Sequence, residues 1–277
     1  MTRALLAVPL LLAACAAPTA PVASLAGDVT PAPTSVTATS LLDAAGPERV
    51  VASLPMARPA QPVLTARFQA VLVADHCADR DLPAPPTTDA ALTVLDRSYA
   101  LAAGYAPADL VAASAAGLTG SSGTKLVRSV ILDDLAAMRE AWVAAGLTVI
   151  VESAYRSYAS QAVTFNGWAA RLGQAAALLR TARPGHSEHQ LGTAIDVTSP
   201  GWTGRFGDWG RESAEGAWMA AHAWEYGFVM SYPSGSLAAT CFGYEPWHYR
   251  WIGREAAAAQ RTSGLYLRQF LERYVGG

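Results

Sequence analysis

The sequence is poor in charge. Of its 277 residues 22 are acidic and 20 basic, so the net charge is −2, and charged side chains make up 15% of the chain. With no basic excess there is no electrostatic footprint for nucleic acid or for an anionic membrane surface, and no nucleic-acid partner is expected. No internal repeat is visible, which argues against solenoid and propeller arrays. Long apolar runs are missing as well: the run Ala4–Ala14 is too short to span a bilayer. The three cysteines show no Cys-x-x-Cys spacing, which argues against a cysteine-built zinc site. Only five histidines occur. Against these shortages, 52% of the residues are hydrophobic, ample for a core in one large domain or two small ones.

The N-terminus reads as a targeting segment. Arg3 precedes the apolar run, which ends in Leu12-Ala13-Ala14-Cys15. That sequence resembles a bacterial lipobox, in which the cysteine becomes the lipidated first residue. Residues 1–15 are therefore expected to be a signal peptide, with attachment to the outer face of a membrane through a lipid on Cys15. The alternative is a plain secretory signal, and both readings export the protein. Residues 16–60 are rich in Ala, Pro, Thr, Ser and Val, with Pro18, Pro21, Pro31 and Pro33, and read as a flexible tether. A folded domain is expected over 61–277. Export leaves Cys77 and Cys241 in an oxidising compartment, where a disulfide between them is expected.

Periodicity supplies a coarse element map. Leu64–Val73 and Ala91–Ala103 are ambiguous, and Asp79–Thr88, with three prolines, is a loop. Leu126, Val130, Leu135, Met138 and Trp142 recur at helical spacing, which predicts a helix over Leu126–Ala145 stopped by Gly146. Leu147–Val151 is a β-branched run suited to a buried strand. Further helices are expected at Ser160–Leu172, just before Pro184, at Ser213–Tyr226 and at Leu265–Tyr274. Strands are expected at Thr193–Val197, Phe228–Tyr232 and Trp247–Ile252. Helices and strands mix without a βαβ rhythm, which predicts an α+β domain, its sheet antiparallel or mixed.

Two dense polar clusters stand out: Gly185 to Asp196, and Tyr244 to Arg250. Zinc accepts imidazole nitrogen and carboxylate oxygen, and a catalytic site uses three protein ligands and leaves one position open. His189 and Asp196 can be brought together by a turn at Gly192, and His248 can add a third ligand from a distant strand. The donor set suits zinc, while spacing alone admits manganese or iron. A carboxylate must also move the proton of the attacking water, and Glu245 is the candidate. On a regular strand Glu245 and His248 would face opposite sides, but Pro246 between them makes an irregularity plausible.

The spacing Ser187-x-His189-x-x-Gly192-x-Ala194-x-Asp196 resembles the SxHxxGxAxD signature of VanY-type zinc D-alanyl-D-alanine carboxypeptidases. Glu245-Pro246-Trp247-His248-Tyr249-Arg250 is similar to their EPWHYR segment, and Ser153-Ala154-Tyr155-Arg156-Ser157-Tyr158-x-x-Gln161 to their upstream element. Tyr105-x-Pro107-x-Asp109-Leu110 resembles a weaker block. The resemblance covers roughly residues 90–255. It implies a hedgehog/DD-peptidase-like α+β domain with a central antiparallel sheet flanked by helices. It also implies one zinc ion held by His189, Asp196 and His248, with Glu245 as general base and acid. Arg156 would offset charge on the scissile carbonyl, and Gln161, Ser187 and Tyr155 would hold the substrate. The implied activity is release of the terminal D-alanine from peptidoglycan stem peptides. A monomer is expected, although the sequence itself does not reveal the oligomeric state.

Two rival readings stand beside this one. An L,D-carboxypeptidase or endopeptidase would use the same machinery. A catalytically silent wall-binding module is the rival of another class, and the presence of Glu245 and Arg156 argues against it. One departure concerns specificity: Ser234-Gly235-Ser236 follows Tyr232-Pro233, where the family often carries a basic residue. His186 is expected to be a site-wall residue, His76 and His222 structural residues, and Trp247 and Trp251 core residues.

Overall fold

Two of the four short strands at the centre of the domain carry the last residues of the two polar clusters, Ala194–Asp196 and His248–Arg250. The computed structural model describes residues 76–87 and 89–274. The signal segment with Cys15, the tether over 16–60, the start of the domain at 61 and the run Leu64–Val73 lie outside the described residues.

In chain order, β1 (Leu82–Pro83) pairs in parallel with β2 (Tyr99–Ala100), and β3 (Leu110–Ala112) pairs antiparallel with β4 (Leu126–Arg128). Helix α1 (Leu132–Ala144) leads to β5 (Ile150–Ser153). Then come α2 (Tyr158–Leu172), α3 (Gln174–Ala177), β6 (Ala194–Thr198), α4 (Phe206–Glu212), α5 (Ala214–His222) and β7 (Phe228–Met230). The one-turn α6 (Leu237–Thr240), β8 (His248–Trp251), α7 (Arg254–Ser263) and α8 (Leu267–Tyr274) complete the order. The main sheet runs β5-β6-β8-β7 with every pairing antiparallel. The fold is the expected α+β architecture of a central antiparallel sheet flanked by helices.

Strand alternation divides labour between the two faces of this sheet. Val151, Ile195, Val197, Tyr249 and Trp251 point to one face, where they join Ile131, Leu135, Met138 and Trp142 from the α1 side in the main core. Those four recur every three or four residues, so one stripe of the helix covers the sheet. Asp134 in the first turn of α1 accepts hydrogen bonds from Trp251 Nε1 at 2.9 Å and Arg254 Nε at 2.6 Å, joining the helix to β8 and α7. The other face receives Ala194, Asp196, His248 and Arg250, and the register sets Asp196 directly opposite His248 and Ala194 opposite Arg250. A second core, including Leu92, Val229, Ile252, Phe270 and Leu271, seats the C-terminal helices.

The β5–β6 pairing has a register shift between Val151 and Ser153. In unbroken register Glu152 would lie opposite Asp196, a like-charge pair; the shift places Ser153 there instead.

Several expected boundaries moved. The segment Leu126–Ala145 is not one helix. Leu126–Arg128 is a strand on β3, a 3₁₀ turn covers Ser129–Ile131, and α1 begins at Leu132. Val127 pairs with Val111 and is fully buried, so tertiary pairing outweighs the helical spacing. The Asp79–Thr88 loop contains the two-residue β1. The expected helix over Ser213–Tyr226 breaks into α5 and a 3₁₀ turn, Ala223–Tyr226. The helices α4 and α7 were not among the expected elements. Cys77 and Cys241 form the expected disulfide, with Cα atoms 5.4 Å apart across a sequence separation of 164.

Candidate active site

The segment Glu188–Leu191 is one 3₁₀ turn closed by Gly192, whose φ of +73° lies in the left-handed region. A Cβ there would come within 2.9 Å of Arg128 Cγ and 3.1 Å of Leu110 Cδ2, so the position demands glycine for space as well as for conformation. The turn sends the chain straight into β6, and this brings His189 and Asp196 together.

His189, Asp196 and His248 are all buried, and one donor atom from each lies within 4.8 Å of the others. His189 Nδ1 is 2.7 Å from the Ala154 carbonyl, to which it donates, leaving Nε2 turned to Asp196 Oδ2 at 3.1 Å. His248 Nδ1 lies 2.9 Å from Asp196 Oδ1. Two imidazole nitrogens and a carboxylate, all inward and mutually close, match the chemistry of a zinc site with three protein ligands. Each of the three expected metal residues takes its place in this cluster.

Arg156 sits just before α2, whose first turn is capped by the Ser157 hydroxyl accepting from Ser160 N–H. Its backbone N–H donates to the His189 carbonyl at 3.2 Å, fixing it beside the cluster. Its Nη1 donates to Ser153 Oγ at 3.2 Å and lies 3.7 Å from Asp196 Oδ2. Its Nε is buried without a hydrogen-bond partner among the described residues.

Glu245 does not share a strand with His248. It precedes β8 in a loop, its N–H donating to the Tyr232 carbonyl, and the His248 N–H turns back to the Glu245 carbonyl at 3.2 Å. The irregularity expected at Pro246 is therefore a turn, which removes the strand alternation that would have set the two apart.

The ionisation of these groups is strongly divided. Burial pushes the Glu245 carboxyl up to about 8, and the nearby Asp196 and Glu188 carboxylates add to the rise. Asp196 is held well below the usual carboxylate range, because its bonds and charge contacts with His189 and His248 outweigh burial. Burial, with the Arg156 guanidinium beside it, lowers His189 to about 4. His248 goes the other way, to about 10: burial opposes the rise, but bonds to Asp196 and Glu188 dominate. Glu245 and Asp196, neighbouring carboxyls, thus ionise in well-separated ranges.

Residues 124–254 match the family model described as VanY, D-alanyl-D-alanine carboxypeptidase. The putative carboxypeptidase YodJ of Bacillus subtilis (strain 168) is 32% identical over 183 residues, covering 66% of this chain and 67% of that protein. The chain belongs to the VanY-type carboxypeptidase family. It is accordingly a peptidase, of a family whose members are metalloenzymes. Among solved structures, the LdcB LD-carboxypeptidase aligns with a TM-score of 0.59 at 33% identity, over 65% of this chain and 85% of that one. A variant of the vancomycin-resistance D,D-pentapeptidase VanY in complex with Zn(II) aligns with a TM-score of 0.55 at 28% identity, over 66% and 99%.

The remaining expected residues of this VanY-type chain are less uniform. Gln161 is fully buried on α2, its Nε2 donating to Thr181 Oγ1 and the Ala182 carbonyl, and its Oε1 has no partner among the described residues. Ser187 is buried at the start of the Glu188–Leu191 turn, and Tyr155 is partly buried beside Arg156. His186 is not a wall of the cluster. It is a buried strut, with Nδ1 2.7 Å from the Asp96 carbonyl and Nε2 3.0 Å from Asp81. Trp251 is in the core, but Trp247 is not: it is partly exposed and stands edge-on to Phe206, ring centroids 5.4 Å apart. His76 bonds the Ala238 carbonyl, and His222 pairs with Glu225 at the surface.

Sequence reasoning missed Glu188, Ser231 and Arg250. Glu188 Oε2 lies 2.9 Å from His248 Nε2 and accepts from Ser231 Oγ at 2.6 Å, while its Oε1 accepts from Arg250 Nη1 at 2.9 Å. Arg250 was within reach of sequence argument, since it stands two residues beyond His248 on a strand and so shares its face.

Proposed function

We propose that this enzyme is a zinc-dependent carboxypeptidase that releases the C-terminal D-alanine of peptidoglycan stem peptides. The observation that carries the reading is the buried His189–Asp196–His248 cluster, with Glu245 and Arg156 beside it. Zinc held by these three side chains would supply Lewis-acid polarisation of the scissile carbonyl and activation of a water. Glu245 takes a proton from that water and passes it to the leaving amine, the two halves of a general base and acid role. Arg156 holds a fixed positive charge where negative charge develops on the substrate oxygen. Tyr155, Ser187 and Gln161 are assigned to positioning the terminal residue.

The likeness to LdcB supports a second reading within the same chemistry, an L,D-carboxypeptidase that trims the tetrapeptide stem. Purified protein offered defined tetrapeptide and pentapeptide stems, with and without chelator, separates the two. Metal-dependent D-alanine release from the pentapeptide alone gives the D,D reading, and release from the tetrapeptide alone gives the L,D reading. No release from either by folded, zinc-loaded protein refutes both. We also place the enzyme outside the cytoplasmic membrane as a lipoprotein anchored through Cys15. The lipobox-like sequence and the Cys77–Cys241 disulfide, a bond of oxidising compartments, support that placement.

A further inference from the structure

Glu188 is a charged side chain held where burial is costly. It is 5% exposed, and its two oxygens receive three donors: Ser231 Oγ and His248 Nε2 on Oε2, Arg250 Nη1 on Oε1. Arg250 is itself fully buried, and its Nη2 donates to the carbonyls of Ala91 and Thr93 at 2.8 and 2.6 Å. A chain of buried polar contacts therefore runs from the Ala91–Thr93 backbone through Arg250 and Glu188 to the imidazole of His248. Nothing in the acid/base chemistry proposed above uses it.

We infer that Glu188 is the positioning residue of the metal centre: its carboxylate, clamped by Arg250 and Ser231, keeps a proton on His248 Nε2 and so reserves Nδ1 for the metal. The inference rests on the reading of His189, Asp196 and His248 as metal ligands. An imidazole binds a metal through one nitrogen only when its proton resides on the other, and a carboxylate acceptor on that second nitrogen fixes both the tautomer and the ring orientation. His189 has the corresponding arrangement, with the Ala154 carbonyl on Nδ1 and Nε2 turned inward. The two histidines thus present opposite nitrogens, each selected by a different kind of acceptor. The sheet register explains why His248 needs the longer Glu188 side chain: Asp196, directly opposite, already occupies its Nδ1 side.

Glu188→Gln tests the assignment with little change of shape. Arg250 carries only donors, so it keeps the amide oxygen of the new side chain. The amide NH₂ then faces His248 Nε2 and donates to it, which drives the imidazole proton onto Nδ1, the ligating atom. Zinc affinity, read by competition with a chromogenic chelator, is expected to fall about 10- to 100-fold. In the zinc-loaded wild type, ¹⁵N NMR of labelled histidine should show His248 bound through Nδ1 with Nε2 protonated. Equal zinc affinity in wild type and Glu188→Gln overturns the inference while leaving the metal centre intact. So does coordination through Nε2 in the wild type, a readout that stands even if the variant does not fold. Absence of stoichiometric zinc binding by the wild type overturns the metal reading itself, and this inference with it.

Discussion

Asp196 is the residue on which the site turns, since both histidines and Arg156 converge on its two oxygens. The three proposed ligands were legible because each sits at a fixed place in a motif. Glu188 was not, because an acidic residue next to a histidine looks like any solvated carboxylate until the fold buries it against Arg250. Glu245 allows two predictions at this scale. Glu245→Gln should lower turnover about 10²- to 10⁴-fold while metal content, by elemental analysis, stays at the wild-type level. The same substitution should change how stability depends on pH in the metal-free protein. The folded carboxyl titrates at about 8 and the unfolded one near its ordinary value of 4.5. Between those values the folded state retains a proton that the unfolded state has lost, so wild-type stability declines as pH rises through this window. The glutamine variant lacks that decline. Its urea midpoint relative to wild type should therefore be higher at pH 8.5 than at pH 5, and an unchanged difference would count against a desolvated Glu245. His248, raised from 6.5 to about 10, also loses its stabilising contribution as pH rises through that interval, but it is present in both proteins, so to first order it cancels in the comparison.

Elements that stand alone in the sequence were readable, and elements defined by a partner were not. Helix α2 and strand β6 fall within a residue or two of expectation, because helical spacing and a β-branched run behind a glycine turn identify them locally. The error at Leu126–Arg128 arose because Leu126 and Val130 fit helical spacing, while the pairing with Leu110–Ala112 is invisible to a local pattern. Helix α4 was hidden by its glycines. Gly210 has no room for a side chain, since a Cβ would meet Pro246 Cβ at 2.3 Å, so the residue that weakens the helix signal is the one that lets α4 approach the Glu245 loop. The same reasoning makes the Gly192 turn a sensitive place. Gly192→Ala must adopt a φ of +73° and crowd Arg128 and Leu110. It should cost about 1–3 kcal/mol in denaturant unfolding and weaken zinc binding as well, because the turn sets the spacing of His189 and Asp196. A loss of stability with unchanged zinc affinity would detach the turn from the site.

At the scale of the whole molecule, the composition anticipated a core, the mix of helical and strand patterns an α+β fold, and the cysteines a long-range link that ends four residues before Glu245. Bridging a separation of 164 residues restricts the unfolded chain severely. Replacing Cys77 and Cys241 together with alanine should lower stability by about 2–5 kcal/mol, measured as a fall in unfolding midpoint, with the intact protein under reductant moving the same way. The bridge also decides how the enzyme bears mechanical load. A pull applied between the two chain ends crosses from Cys77 to Cys241 through sulfur and bypasses everything between them. His189 and Asp196 lie within the shielded loop, while Glu245, His248 and β8 lie beyond it on the loaded path. Tension on the oxidised protein is therefore carried by the segment that holds one proposed ligand and the proposed catalytic carboxylate, while the other two proposed ligands lie inside the covalent ring, off the loaded path.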